Sequence, residues 1–195
     1  MVPPAFPGMR VGLFGGSFNP PHLGHLHVVL ESFKRLRLDQ LWILVVPCNP
    51  LKDADVLLSL QERIDAVRDL VEGYQNVVVS GLEAQLGSSY TVDTVRKLVN
   101  RYSATKFALI MGGDNLKNFH LWRSWWTISQ MVPLAIVDRI ETKLSGVSGP
   151  AATKLSKYRL PEHSADRLLD CIPPAWVLLH APYKALASVD LRNHR

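Results

Sequence analysis

Short apolar runs alternate along this chain with segments whose apolar residues recur at helical period, and that alternation restricts the fold more than any other feature. Strands are expected at Arg10 to Phe14, Leu41 to Val46, Val77 to Ser80, Phe107 to Met111, Leu134 to Val137 and Trp176 to Leu179. Between them Leu26, Leu30 and Phe33 share one helix face, Leu60, Ile64, Val67 and Val71 a second, and Val92, Val95, Leu98, Val99 and Tyr102 a third. Strands that alternate with helices in this order build a parallel sheet with crossover helices. The expected fold is α/β: a Rossmann-like, doubly wound, mostly parallel sheet with helices on both faces, in one domain.

The stretch ETKLSGVSGPAAT, residues 141–153, is rich in Gly, Ser and Thr and reads as a surface loop. It is no domain boundary, because the roughly 40 residues after it are too few for a core of their own. The N-terminal MVPPAFPGMR has three prolines and none of the apolar core of a signal peptide. Residues 1–9 are therefore expected as a disordered leader ahead of a domain over 10–195. The longest apolar runs, LWILVV and PLAIV, fall far short of the roughly 20 residues of a membrane span. A cytoplasmic location away from membranes is the expectation. Cys48 and Cys171 lack a Cys-x-x-Cys pair or a nearby His at ligand spacing, so both are expected as reduced, partly buried thiols and no protein-held metal site is expected. The net charge of +5 comes from Lys and Arg scattered in ones and twos. That distribution argues against a nucleic-acid partner and suits a small polyanion such as a nucleotide.

In an open parallel sheet, ligands bind beyond the carboxyl ends of the strands. The first expected strand-to-helix connection reads Gly15-Gly16-Ser17-Phe18-Asn19-Pro20-Pro21-His22-Leu23-Gly24-His25, ahead of a helix expected to begin near Leu26. Adjacent glycines let the backbone approach a ligand with its N–H groups turned inward. His22 and His25 are three apart at a helix N-terminus, which puts two imidazoles beside unpaired amides and the positive end of the dipole. An anion is the ligand such a turn favours. The alternative is a plain glycine turn with capping or packed histidines. The segment matches neither the GxGxxG fingerprint nor a P-loop.

The segment GGSFNPPHLGHL closely resembles the signature of the nucleotidyltransferase superfamily with the HxGH motif. Further segments resemble one branch, the nicotinate-nucleotide adenylyltransferases of NAD biosynthesis: VPCNPLK at 46–52, SLQERIDAV at 59–67, SYTVDTVRKL at 89–98, MGGDNLKNFHLWRSW at 111–125, VPLAIVDR at 132–139 and, less well, LASVDLR at 186–192. The resemblance implies two small-molecule substrates, ATP and nicotinate mononucleotide, and transfer of the adenylyl group between them. An attacking phosphate needs no enzyme nucleophile, so such a protein has to position substrates and supply donors to developing charge.

On the same resemblance, His22 and His25 are the catalytic pair on the ATP phosphates, with His25 nearer the charge that builds. Gly15, Gly16, Ser17 and Phe18 add backbone contacts to ATP, Gly112 and Asp114 hold its ribose, and Ser188 and Arg192 belong to a C-terminal phosphate motif. Lys52, Tyr90, Thr91 and Trp122 face the acceptor, and Mg²⁺ arrives on the ATP phosphates. Blander roles stand beside these: a solvated loop for Lys52, a helix N-cap for Asp114, core packing for Trp122. Trp42, Trp125, Trp126 and Trp176 are assigned to packing. In the C-terminal motif Ala187 and Val189 stand where the family usually carries hydroxyls. Two alternatives share the first motif: a pantetheine-phosphate adenylyltransferase, which typically is shorter and lacks Trp-x-x-Trp, and a non-catalytic nucleotide-binding regulator of the same fold. Oligomeric state stays open, self-association included.

Overall fold

Successive side chains of a strand point to opposite faces of its sheet, and here both sets are apolar. The computed structural model describes residues 3–47, 58–87, 90–138 and 149–181. Its strands are β1 (Arg10–Gly16), β2 (Gln40–Val45), β3 (Val77–Ser80), β4 (Lys106–Gly112), β5 (Leu134–Asp138), β6 (Arg159–Leu160) and β7 (Trp176–His180). They form one sheet in the order β3-β2-β1-β4-β5-β7-β6, every pair parallel. Leu41, Ile43 and Val45 of β2 enter one core, together with Ala135 and Val137 of β5 and Val177 and Leu179 of β7. Trp42 and Leu44, Leu134 and Ile136, Trp176 and Leu178 enter the other.

Helices cover both faces. α1 (Leu23–Leu36) and α2 (Leu60–Leu70) pack on the first core through Leu26, Val29, Leu36, Ile64 and Val67. On the second lie α3 (Leu82–Gln85), α4 (Thr91–Arg101), α5 (Gly113–Asn118), α6 (Trp125–Met131) and α7 (Pro150–Leu155). The doubly wound α/β expectation is met. At Gly12 a Cβ would lie 2.5 Å from Ile110 Cδ1 and 2.8 Å from Leu38 Cδ1, so a larger residue there would have to displace the ends of two buried side chains. The chain adds β2 and β3 on one side of β1 and β4 on the other. That reversal opens a crevice at the carboxyl ends of β1 and β4.

The six expected strands occur within two residues of their expected ends. β6 was not expected: two residues carry no periodicity, and they are strand only through pairing with Trp176 and Val177. Part of the expected loop at 141–153 is helical, because Pro150 starts α7 and Ala151, Ala152 and Leu155 are buried in the second core. Residues 3–9, the described part of the expected disordered leader, are tied down. Pro3 is buried, its carbonyl accepts the Tyr102 hydroxyl at 2.8 Å, and Gly8 donates to the Ala104 carbonyl at 2.7 Å. Those partners lie about a hundred residues away, beyond the reach of local composition. Cys171 is a half-buried free thiol, while Cys48 lies outside the described residues. Among the described residues no helix is long and apolar enough to cross a membrane.

Candidate active site

Gly15 and Gly16 are the last residues of β1, paired with Leu44 and Val45, so the strand takes in the first two residues of the expected strand-to-helix connection. A Cβ at Gly15 would meet no atom within 4 Å, so the backbone is bare there, whereas one at Gly16 would meet the Phe18 ring at 3.0 Å. Phe18 then takes a left-handed backbone conformation, φ 47°. Its ring turns inward, edge-on to Phe14 at 5.4 Å and 4.9 Å from the His25 ring. Phe18 thus closes the turn from below and gives His25 a wall to lie against.

His22 and His25 cap α1 with each other. His22 is the N-cap, and its Nδ1 accepts the Gly24 N–H at 3.1 Å; His25 Nδ1 accepts the His22 N–H, also at 3.1 Å. This is the reciprocal capping box, with imidazoles in place of Ser/Thr and Glu/Gln. The ring centroids are 3.9 Å apart. A neutral ring whose Nδ1 accepts carries its proton on Nε2, the tautomer a phosphate oxygen needs for a hydrogen bond from that ring. Capping therefore sets donor orientation as well as the start of the helix.

The crevice is a cavity of about 540 Å³. Its wall includes Gly15, Gly16, Ser17, Phe18 and His25 from the end of β1 to the start of α1, Tyr90 and Thr91 at the start of α4, Gly112, Asp114 and Asn115 along β4 and α5, and Trp122 and Arg123. Of the two histidines only His25 is part of the wall; His22 is exposed and stacked behind it. Tyr90 is the N-cap of α4 and Thr91 its first residue. Trp122 ends a short 3₁₀ turn over Phe119–Leu121, and the fully buried Phe119 meets its ring edge-on at 5.3 Å. Asp114 is the second residue of α5, whose N-cap is Gly112, so the capping role considered for Asp114 is not the one it has. Lys52, Ser188 and Arg192 lie outside the described residues.

Two further groups support or line this cavity without having been singled out in the sequence. Glu83 on α3, 3% exposed, accepts a hydrogen bond from Thr94 of α4 at 3.3 Å, and both line the wall. Burial pushes the Glu83 carboxyl up to about 7, the Thr94 hydroxyl pulling the other way. Arg63 of α2 is 1% exposed and donates to four carbonyls: Leu58 at 3.0 Å, Ser17 at 2.7 Å, Val46 at 2.8 Å and Pro47 at 2.9 Å. One guanidinium ties the turn after β1 to the end of β2 and the approach to α2. α2 itself starts at an ordinary capping box, with Ser59 Oγ accepting from Glu62 N–H and the Glu62 carboxylate from Ser59 N–H.

The cytidylyltransferase-like family matches residues 13–192 of this chain. A probable nicotinate-nucleotide adenylyltransferase of a Bradyrhizobium species is 47% identical over 185 residues, 95% of this chain and 96% of the relative. One from Methylorubrum extorquens is also 47% identical, over 95% of this chain and 100% of its own length. The chain belongs to the nicotinate-nucleotide adenylyltransferases. A similar fold is seen in Plasmodium falciparum nicotinic acid mononucleotide adenylyltransferase complexed with NaAD, with a TM-score of 0.69, 15% identity, and 91% of this chain and 77% of that one covered. In this chain His25 of the HxGH motif lines the same cavity as Thr91 and Trp122. Residues of the first motif and of the branch-specific segments thus border one open crevice.

Proposed function

We propose that this cavity transfers the adenylyl group of ATP to nicotinate mononucleotide, with ATP phosphates at the β1 end and the pyridine ring at the α4 end. One observation carries the reading: a single cavity of about 540 Å³ joins His25 and the bare Gly15 backbone to Thr91 and Trp122, a volume within the range of small-molecule sites, about 300–1,000 Å³. A phosphate oxygen of the mononucleotide attacks the α-phosphorus of ATP and forms a new P–O bond. The α–β bridging P–O bond breaks and pyrophosphate leaves, which yields deamido-NAD.

In that step His25 donates through Nε2–H to oxygens on the transferring group, and His22 holds the tautomer and position of His25 by the cap they share. Preorganised donors of this kind act on charge as it develops. Asp114 accepts hydrogen bonds from ribose hydroxyls as a bidentate carboxylate, while Thr91 and Tyr90 border the pyridine carboxyl. The donor set suits a metal that arrives on substrate. Glu83 and Asp114 sit on different helices, and no group of three or more His, Cys, Asp or Glu side chains comes together among the described residues. Mg²⁺ carried on the ATP phosphates would supply positive charge to the pyrophosphate leaving group.

Trp122 provides the test of this arrangement. Aromatic stacking contributes roughly 0.5–1.5 kcal/mol beyond buried area, so Trp122→Ala is expected to weaken the mononucleotide about tenfold and to spare ATP. Separate titration of the two substrates reads the difference. Equal losses for both would make Trp122 a structural residue and remove the acceptor from the α4 end.

A further inference from the structure

Nicotinate and nicotinamide mononucleotides differ at one position, a carboxylate against a neutral carboxamide, and a fixed cation near that position separates them electrostatically, in addition to any contact with the start of α4. Among the described residues of the cavity wall, Arg123 is the one lysine or arginine; the carboxylates are Glu83 and Asp114. It follows Trp122 directly, and its guanidinium carbon lies 4.5 Å above the ring of Tyr90, the residue that caps α4 beside Thr91. Among the described residues Arg123 forms no ion pair, whereas Arg10, Arg35 and Arg37 are each held by a carboxylate.

We propose that Arg123, braced on the face of Tyr90, is a specificity-determining residue that favours an acidic pyridine mononucleotide over its amide. The inference rests on the acceptor reading given above. A guanidinium stays charged at every working pH and presents paired N–H donors that match a carboxylate. Stacking on Tyr90 removes much of the freedom that an exposed arginine would lose on binding, and the planar contact is one an ammonium reproduces poorly. Among the described wall residues the guanidinium is the one permanently charged cation.

The test is equilibrium binding of each mononucleotide to the parent and to Arg123→Gln and Arg123→Lys by calorimetry, with pyrophosphate release from ATP measured in parallel. Arg123→Gln is expected to reduce the preference for the nicotinate over the nicotinamide form about tenfold by binding ratio, with an unchanged melting temperature because the side chain is exposed. Arg123→Lys is expected to restore part of that ratio. Equal weakening of both mononucleotides would place Arg123 on their shared phosphate and overturn the proposal, as would an unchanged ratio. Binding does not need turnover, so a parent that binds with normal selectivity yet releases no pyrophosphate would overturn the adenylyl-transfer reading while the ratio still decides the role of Arg123.

Discussion

Replacing His25 by alanine is expected to lower kcat by about 10²–10³ in a protein that still folds, the cost typical of losing one preorganised donor to developing charge. His25 is the histidine of the pair that lines the cavity. Its orientation is fixed three times over: by the His22 N–H at Nδ1, by the His22 ring at 3.9 Å and by the Phe18 ring at 4.9 Å. The same substitution removes half of the capping box, which costs about 1 kcal/mol and about 2–4 °C in Tm for a domain of this size. Rate and stability therefore separate cleanly when kcat and a thermal melt are measured on one preparation. A folded variant with kcat within a few-fold of the parent would contradict the role given to His25.

Arg63→Met is expected to show the largest loss of stability among the substitutions considered. Methionine fills a similar volume, so the change isolates the hydrogen bonds. Four carbonyls lose their donor, and each buried acceptor left unsatisfied costs about 1–3 kcal/mol. Water recovers part of this, since Ser17 and Val46 line the cavity. A net loss of about 3–5 kcal/mol and a fall in Tm of about 10 °C follow. Arg63→Lys should be intermediate, because one ammonium cannot span carbonyls on three separate segments. A melting temperature of the methionine variant within about 2 °C of the parent would show that the clamp is dispensable.

The sheet was legible because parallel strands are apolar on both faces. LWILV and LAIV are near-continuous runs for that reason, and each divides by alternation between two cores. β6 was not legible, since Arg159 and Leu160 become strand only beside Trp176 and Val177. In the site, His22 and His25 were readable as a pair at a helix start. Their mutual capping was not, because capping boxes are recognised by Ser/Thr and Glu/Gln. Arg63 looks like a polar position on an amphipathic helix, and three of its carbonyl partners are 16, 17 and 46 residues away in the chain. Glu83 and Arg123 carry no motif of their own. A carboxyl next to a Leu and an arginine next to a Trp acquire meaning only when α3, α4 and the 3₁₀ turn before α6 meet around one cavity.

The most direct measurement of the central claim follows the α-phosphorus. ATP labelled at that position is incubated with the protein and either nicotinate mononucleotide or 4′-phosphopantetheine, and the products are separated chromatographically. Adenylyl transfer at this site predicts label in a dinucleotide formed from nicotinate mononucleotide, with an equal amount of unlabelled pyrophosphate and little product from phosphopantetheine. Label that stays in ATP, appears as AMP, or enters the phosphopantetheine product in preference would contradict it.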